Sequence, residues 1–220
     1  MYQFNVININ DLPPFLDLDL LVDRIFDMNQ DTMKPILEKV RLKVDYWTKD
    51  LLKQKLTKDY PLLCIGAKTD LKSIEDIEFV IAASAPLEYK GNYYSKLDFA
   101  AYSNKVPRDP KNIRRNLHQE AYKFFLPWFT QNIPDLNIFV QIPEKSLSII
   151  TLFKELGFST ISDSKILRNF LESHRIRYLP DTIDETTNGL LYQIYQQHTG
   201  KDDGTKFCCM VYNKDIIKLK

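Results

Sequence analysis

The segment from Leu136 to Phe158, LNIFVQIPEKSLSIITLFKELGF, constrains the fold more than any other part of this chain of 220 residues. Its first seven residues, Leu136 to Ile142, are mostly apolar, which is typical of a buried strand. A Pro-Glu-Lys-Ser turn follows, and then a short amphipathic helix closes on Gly157, the usual position of a helix C-cap glycine. This segment therefore predicts a strand, a turn and a helix in immediate succession.

The rest of the chain alternates strand and helix patterns, and two strands with a short link in its middle predict an antiparallel meander. Pro127 should kink or split the helix that contains it. The mixed order predicts an α/β (α+β) fold with a mixed, mostly antiparallel, twisted sheet flanked by helices. The predicted strands are Tyr2–Ile9, Leu62–Lys68, Ile77–Ser84, Tyr93–Ser103, Leu136–Ile142, Arg175–Leu179 and Lys206–Tyr212. Besides the short helix that closes on Gly157, the predicted helices are Leu16–Met28, Met33–Leu56, Leu117–Asn132, Lys165–Ser173 and Leu190–His198.

Charge and hydropathy exclude several classes of protein. Thirty basic residues against 29 acidic ones leave no overall field that would attract nucleic acid or an anionic membrane. The N-terminus lacks a positively charged region and acids interrupt its apolar run, so it does not resemble a signal peptide. No stretch approaches the roughly 20 apolar residues that span a bilayer. We therefore expect a soluble, cytoplasmic protein without a membrane partner.

The cysteines indicate neither a disulfide framework nor a metal site. Cys64 stands alone and Cys208 and Cys209 are adjacent, and neighbouring cysteines rarely have the geometry for a bridge. Together with three scattered histidines they do not give a zinc-ligand spacing. We expect buried, reduced thiols and no bound metal.

A strongly basic loop runs from Lys105 to Arg115. Its five basic residues and one aspartate give it a local charge of +4 in an otherwise balanced chain. It also leads into a helix start, where free backbone N–H groups and the positive end of the helix dipole favour an anion. A solvated surface loop and an anion cradle are both compatible with this composition.

The order of five successive elements resembles the core of the GNAT N-acetyltransferase superfamily. These are the strand Tyr93–Ser103, the basic loop, the helix Leu117–Asn132, the strand Leu136–Ile142 and the motif Leu152-Phe153-Lys154-Glu155-Leu156-Gly157-Phe158. The resemblance covers about residues 1–162 and identifies the chain as similar to a divergent member. It implies a GNAT-like acyl-CoA-binding core over residues 1–162, and a C-terminal extension over residues 163–220 that completes the sheet.

The resemblance also implies a cosubstrate, acetyl-CoA or another acyl-CoA, and an amine acceptor that the sequence does not identify. The pyrophosphate would lie on the loop after the strand Tyr93–Ser103. The residues at the corresponding coenzyme-binding positions are Ala101, Tyr102, Ser103, Lys111, Asn112, Arg114, Arg115, Asn116, Ser146 and Phe153.

Two positions depart from the family pattern. The family loop is glycine-rich, whereas this chain has no glycine between Asn92 and Leu156, so side chains such as Arg114 and Arg115 would have to bind the phosphates. The family tyrosine that protonates the leaving thiolate is Phe153 here, and a phenyl ring donates no proton. Water or another group such as Tyr102 would have to replace it.

The reaction would be acetyl transfer from a thioester to an amine, and a carboxylate would remove the amine proton, because amines of pKa near 10 are protonated at neutral pH. The candidate bases are Asp98 and Glu78, and Tyr102 is the candidate acid. Two alternatives remain open. One is a GNAT-fold binding or interaction module without transfer activity. The other is an α/β protein whose basic loop binds nucleic acid with help from nearby aromatic rings, against which the balanced charge argues.

Overall fold

A computed structural model describes residues 2–39, 48–107, 113–133, 135–143, 146–161, 169–170 and 207–212. Within them the chain forms eight strands and four helices, and the predicted mixed, mostly antiparallel α/β fold class is confirmed. The elements in chain order are β1 (Gln3–Asn8), α1 (Leu18–Lys39), α2 (Lys49–Lys58), β2 (Leu62–Ala67), β3 (Phe79–Ala83), β4 (Leu87–Tyr89), β5 (Asn92–Tyr102), α3 (Ile113–Asn132), β6 (Leu136–Pro143), α4 (Leu147–Glu155), β7 (Phe158–Thr160) and β8 (Phe207–Tyr212).

Helix boundaries differ from the sequence prediction in three places. The single helix predicted over Met33–Leu56 is wrong in its limits, because α1 extends through Lys39 and α2 starts at Lys49. The Thr48 side chain caps α2 by accepting a hydrogen bond of 3.2 Å from the backbone N–H of Leu51. Helix α3 begins at Ile113, earlier than predicted, and Pro127, predicted to kink or split it, does not split it.

Two strands of three residues each were not predicted, because they are too short to show a periodic pattern. Strand β4 lies where a turn was expected, and a tight turn at Lys90 and Gly91 joins it to β5. Both residues have positive φ, 51° and 76°, which is the geometry of a two-residue hairpin turn and explains the glycine. Strand β7 follows α4 directly after Gly157, whose φ is 92°.

Contacts between Cα atoms divide the chain into two compact units. The first contains residues 1–85 and 98–128, and the second contains residues 86–97 and 129–220, so β5 begins in one unit and ends in the other. In the first unit β1 pairs antiparallel with β2, and β2 pairs antiparallel with β3. Helices α1 and α2 bury an apolar core against one face of these strands, with Leu21, Ile25, Leu52, Leu56, Leu63, Ile65 and Val80 among its members.

The second unit is built around β6. The first half of β5 pairs with β6 in parallel, from Tyr93 opposite Leu136 to Leu97 opposite Val140, and with β4 antiparallel. Strand β8 pairs antiparallel with both β6 and β7. The predicted last strand, Lys206–Tyr212, is therefore confirmed as β8.

Several C-terminal predictions lie outside the described residues. These are the strand Arg175–Leu179, the helix Leu190–His198 and most of the helix Lys165–Ser173, of which the described pair Asn169 and Phe170 is helical. The division at residue 162 into a core and an extension stays a prediction.

Candidate functional site

The carboxyl end of β5 and the loop after it belong to the first unit, and the loop is described as far as Pro107. The Ser103 backbone N–H donates to the Glu78 carbonyl at 2.9 Å, which joins the end of β5 to the residue before β3. The Val106 N–H then donates to the Ser103 carbonyl at 3.0 Å and turns the chain. Two predicted coenzyme-binding residues, Lys111 and Asn112, lie outside the described residues.

Arg114, in the first turn of α3, folds back onto this loop. Its Nη2 donates to the Val106 carbonyl at 3.0 Å. Its guanidinium carbon lies 4.6 Å from the centroid of the Tyr102 ring, which is a cation–π contact. The structure thus brings together two of the predicted coenzyme-binding residues, Tyr102 and Arg114.

The Tyr102 hydroxyl lies 2.7 Å from Nδ1 of His118, and the Tyr102 side chain is buried. The His118 ring lies among three aromatic rings, with centroids 5.4 Å from Tyr102, 5.3 Å from Phe79 and 5.5 Å from Tyr122. Burial lowers the pKa of His118 to about 4, so the imidazole is neutral near pH 7. Burial raises the pKa of Tyr102, and the charge of Arg114 acts in the opposite direction.

The Ser103 side chain places a hydroxyl group at a buried position. The residue is 1% exposed, and its Oγ has no hydrogen-bond partner among the described residues. A buried hydroxyl without a partner costs about 1 to 3 kcal/mol, so such groups in folded proteins call for an explanation. A coenzyme rich in phosphate, amide and hydroxyl groups would supply a partner, and the residues at the end of β5 therefore fit such a ligand.

Glu78, one of the two candidate bases, already has partners. Its Oε2 accepts a hydrogen bond of 2.8 Å from the Tyr2 hydroxyl and lies 3.1 Å from Nζ of Lys68, and the residue is 8% exposed. Burial and the Glu78 carboxylate together raise the pKa of Tyr2. The second candidate base, Asp98, is half-buried on β5. Since side chains alternate along a strand, Asp98 and Tyr102 share one face of β5.

The remaining coenzyme-binding candidates fall in two groups. In the first unit, Ala101 is fully buried, while Arg115 is half-buried and Asn116 exposed on α3. In the second unit, Ser146 caps α4 through its carbonyl, which accepts from the N–H of Ile149 and of Ile150 at 3.0 Å each, while its side chain makes no capping bond. Phe153 is 4% exposed and packs edge-on against Phe158 with ring centroids 4.9 Å apart.

His118 was missed by sequence reasoning. The one signal that could have found it is its spacing from Arg114, because residues four apart in a helix are neighbours on one face. Positions 114, 118 and 122 lie on one face of α3. If that face is buried, a polar side chain on it, such as that of His118, needs a hydrogen-bond partner.

The described residues contain no group of three His, Cys, Asp or Glu side chains arranged to hold a metal ion. Cys64, Cys208 and Cys209 are free thiols, and burial raises the pKa of Cys209 to about 12. No helix within the described ranges is both long and apolar enough to cross a membrane.

No protein-family profile matches the sequence, and no curated protein matches it. Among solved structures, the chain is similar to Arabidopsis thaliana NAA60 in complex with acetyl-CoA, at 12% identity and a TM-score of 0.46, over 98% of this chain and 99% of that one. It is similar to the ribosomal-protein-S18-alanine N-acetyltransferase of Escherichia coli, at 11% identity and a TM-score of 0.48, over 96% and 93%. It is also similar to the spermidine N-acetyltransferase of Vibrio cholerae with CoA and spermine, at 12% identity and a TM-score of 0.46, over 95% and 94%. These structures are GNAT acetyltransferases, and the likeness to them is distant.

Proposed function

We propose that this protein is an acyl-CoA-dependent N-acyltransferase that moves an acetyl group from acetyl-CoA to an amine. The observation that carries the proposal is the parallel pairing of β5 with β6, whereas the other strand pairs of known register are antiparallel in the described residues. The basic loop and α3 separate these two strands in the chain. Ligands of α/β proteins bind outside the carboxyl end of such a strand, and the resemblance to the GNAT superfamily implies the carboxyl end of β5.

The coenzyme's pyrophosphate would bind at the residues after Tyr102. Lys105, Arg114 and Arg115 supply positive charge there, and the N-terminal end of α3 supplies a positive dipole. Because the loop has no glycine to expose bare backbone, these side chains would bind the phosphates in its place. The Ser103 hydroxyl would bond to a polar group of the bound coenzyme.

The transfer would proceed by attack of the neutral amine nitrogen on the thioester carbonyl, followed by cleavage of the C–S bond. Asp98 is the candidate base that accepts the amine proton, directly or through water, because it lies half-buried on the face of β5 that also carries Tyr102. The leaving thiolate would take its proton from water or from Tyr102, since Phe153 has no proton to donate. The departing products are the amide and the free thiol of CoA.

Calorimetric titration with acetyl-CoA tests the binding half of the proposal, with adenosine 3′,5′-bisphosphate as a fragment control. We expect saturable binding in the micromolar range. The double variant Arg114→Ala plus Arg115→Ala should lose about 2 to 4 kcal/mol of binding free energy if both guanidinium groups contact phosphate. Lys123→Ala is a matched control, because Lys123 is an exposed cation further along the same helix. Absence of binding up to millimolar acetyl-CoA would refute the proposal.

The second candidate function is a coenzyme-binding module without transfer activity. Two observations favour it: the Phe153 ring packs against Phe158, and the Tyr102 hydroxyl is engaged with His118. Release of free CoA thiol in the presence of a panel of primary amines separates the two functions. Amine-dependent thiol release supports the transferase, whereas acetyl-CoA binding with no release above the hydrolysis background supports the module. Asp98→Asn should abolish release while leaving coenzyme affinity unchanged if Asp98 is the base.

A further inference from the structure

His118, Tyr102 and Arg114 form one connected set of contacts between α3, β5 and the loop after β5. His118 Nδ1 lies 2.7 Å from the Tyr102 hydroxyl, and the Tyr102 ring lies 4.6 Å from the guanidinium carbon of Arg114. Arg114 Nη2 then donates to the Val106 carbonyl at 3.0 Å. We infer that His118 is a positioning residue, which acts through Tyr102 to fix the guanidinium of Arg114 beside this loop.

Helix geometry explains why two residues of α3 can hold one tyrosine. Arg114 and His118 are four residues apart and therefore lie one above the other on the same face of α3. His118 binds the hydroxyl end of Tyr102, and Arg114 covers the face of its ring. A shift of the Tyr102 ring would therefore weaken both contacts together.

The surroundings of His118 restrict the orientation of the imidazole. Its ring stacks on Tyr122 with an angle of 16° between the planes, and it meets Phe79 edge-on at 85°. Ring packing of this kind limits rotation about the side-chain torsions, so the direction of the ring nitrogens is set by the core. The position of the Tyr102 hydroxyl then follows from the hydrogen bond.

A fixed guanidinium is valuable for binding an anion. A flexible arginine loses side-chain freedom when it binds a phosphate, and this cost is avoided when the side chain is ordered beforehand. Stacking on Tyr102 engages the face of the guanidinium and the Val106 carbonyl accepts from Nη2, so a phosphate would bind through other N–H groups at its edge. The role of Arg114 in coenzyme binding rests on the proposed function, whereas its positioning by His118 can be measured without coenzyme.

Four variants distinguish a positioning role of His118 from a contribution to packing alone. His118→Phe keeps an aromatic ring among those of Phe79, Tyr102 and Tyr122 and removes the hydrogen bond, whereas His118→Gln keeps a group that can bond to the Tyr102 hydroxyl. Tyr102→Phe removes the same bond from the other side and keeps an aromatic ring at position 102, which the bond to His118 no longer holds in place. Tyr94→Phe is a matched control, because Tyr94 is a buried tyrosine of β5 that stacks on Phe139 in the second unit.

The first readout is the Nε–H resonance of Arg114 in the free protein, which the Tyr102 ring current should shift upfield because the guanidinium lies over the ring. We expect His118→Phe and Tyr102→Phe to move it toward the position of a free arginine, and His118→Gln and Tyr94→Phe to leave it in place. Thermal denaturation confirms that each variant is folded. An unchanged resonance in folded His118→Phe and Tyr102→Phe would overturn the inference.

The second readout is the Kd for acetyl-CoA. His118→Phe should raise it about 3- to 10-fold, the size of one neutral hydrogen bond, and His118→Gln should restore it. In an Arg114→Ala background, His118→Phe should have no further effect, because its influence passes through Arg114. An equal effect in both backgrounds would overturn the inference. If the unaltered protein binds no acetyl-CoA, the proposed function fails, and the Arg114 resonance alone decides the positioning role.

Discussion

The two faces of the sheet in the first unit bury different kinds of side chain. The face covered by α1 and α2 holds aliphatic groups such as Leu21 and Leu63, which are fully buried. On the other face, Phe79 packs beside Tyr102 and His118, so that a hydroxyl and an imidazole lie within the packed region. Apolar burial is strong and non-directional, whereas polar contacts are directional. The first face therefore contributes stability, and the second fixes the position of particular atoms.

The largest expected effect is on the aliphatic face. Leu21→Ala removes a fully buried side chain and should lower the free energy of unfolding by about 3 to 5 kcal/mol, through lost burial and the cavity left behind. Leu20→Ala, one residue earlier and 58% exposed, should change it by less than about 0.5 kcal/mol. Urea denaturation measures both. Equal losses in the two variants would contradict the assignment of this face.

The next effect is a pH dependence of stability that arises on the second face of the sheet, where His118 lies. The pKa of His118 is about 4 in the folded protein and about 6.5 in the unfolded chain, so between these values only the unfolded state takes up a proton. Stability should be full above pH 6.5 and should fall by as much as about 3 kcal/mol as pH drops through 4.

His118→Gln removes the titration of the imidazole and leaves the carboxyl groups of the protein in place. Denaturant unfolding of both proteins at several pH values isolates the His118 contribution, because carboxylate titrations are common to the two. We expect the difference in unfolding free energy between them to change between pH 7 and pH 4. A difference that stays constant over this range would show that the imidazole is as easily protonated in the folded state as in the unfolded one.

A smaller loss should follow from removing one hydroxyl on the same face. Tyr102→Phe keeps an aromatic ring at this position and takes the hydrogen-bond partner from Nδ1 of His118, which should cost about 1 to 2 kcal/mol of unfolding free energy. Tyr93→Phe is the matched control on β5, because Tyr93 is 42% exposed and its hydroxyl can bond to water. Calorimetric melting of the two variants checks the comparison, and a Tyr102→Phe protein as stable as Tyr93→Phe would contradict it.

The smallest effect is expected at the outer surface of α1 and α2. Lys53 and Lys49 of α2 form ion pairs with Asp19 and Asp23 of α1, and exposed pairs of this kind contribute little in salt solution. Lys53→Ala should leave the denaturation midpoint unchanged at physiological salt. Leu52→Ala, at the adjacent and fully buried position, should lower it clearly. A large loss in Lys53→Ala would mean that this surface pair matters more than the core beneath it.

Elements that depend on local pattern could be predicted from the sequence. Strands β2, β3, β5 and β6 lie close to their predicted positions because bounded apolar runs favour buried strands. The limits of α1 and α2 could not be found in the same way, because one apolar stripe continues through both helices and hides the cap at Thr48. Strands β4 and β7 depend on pairing with β5 and β8, which lie elsewhere in the chain.

The candidate site divides in the same manner. The sequence by itself determined the charge of the loop after β5, the absence of glycine within it, and the presence of Tyr102 and Arg114 at its two ends. Only the tertiary structure decided that the Glu78 carboxylate is bonded to Tyr2 and Lys68, and that His118 holds the Tyr102 hydroxyl. The physical reason is that propensity and periodicity act over a few neighbouring residues. Hydrogen bonds between a helix and a strand depend instead on how segments distant in the chain pack together. The residue pattern within one segment does not predict that packing.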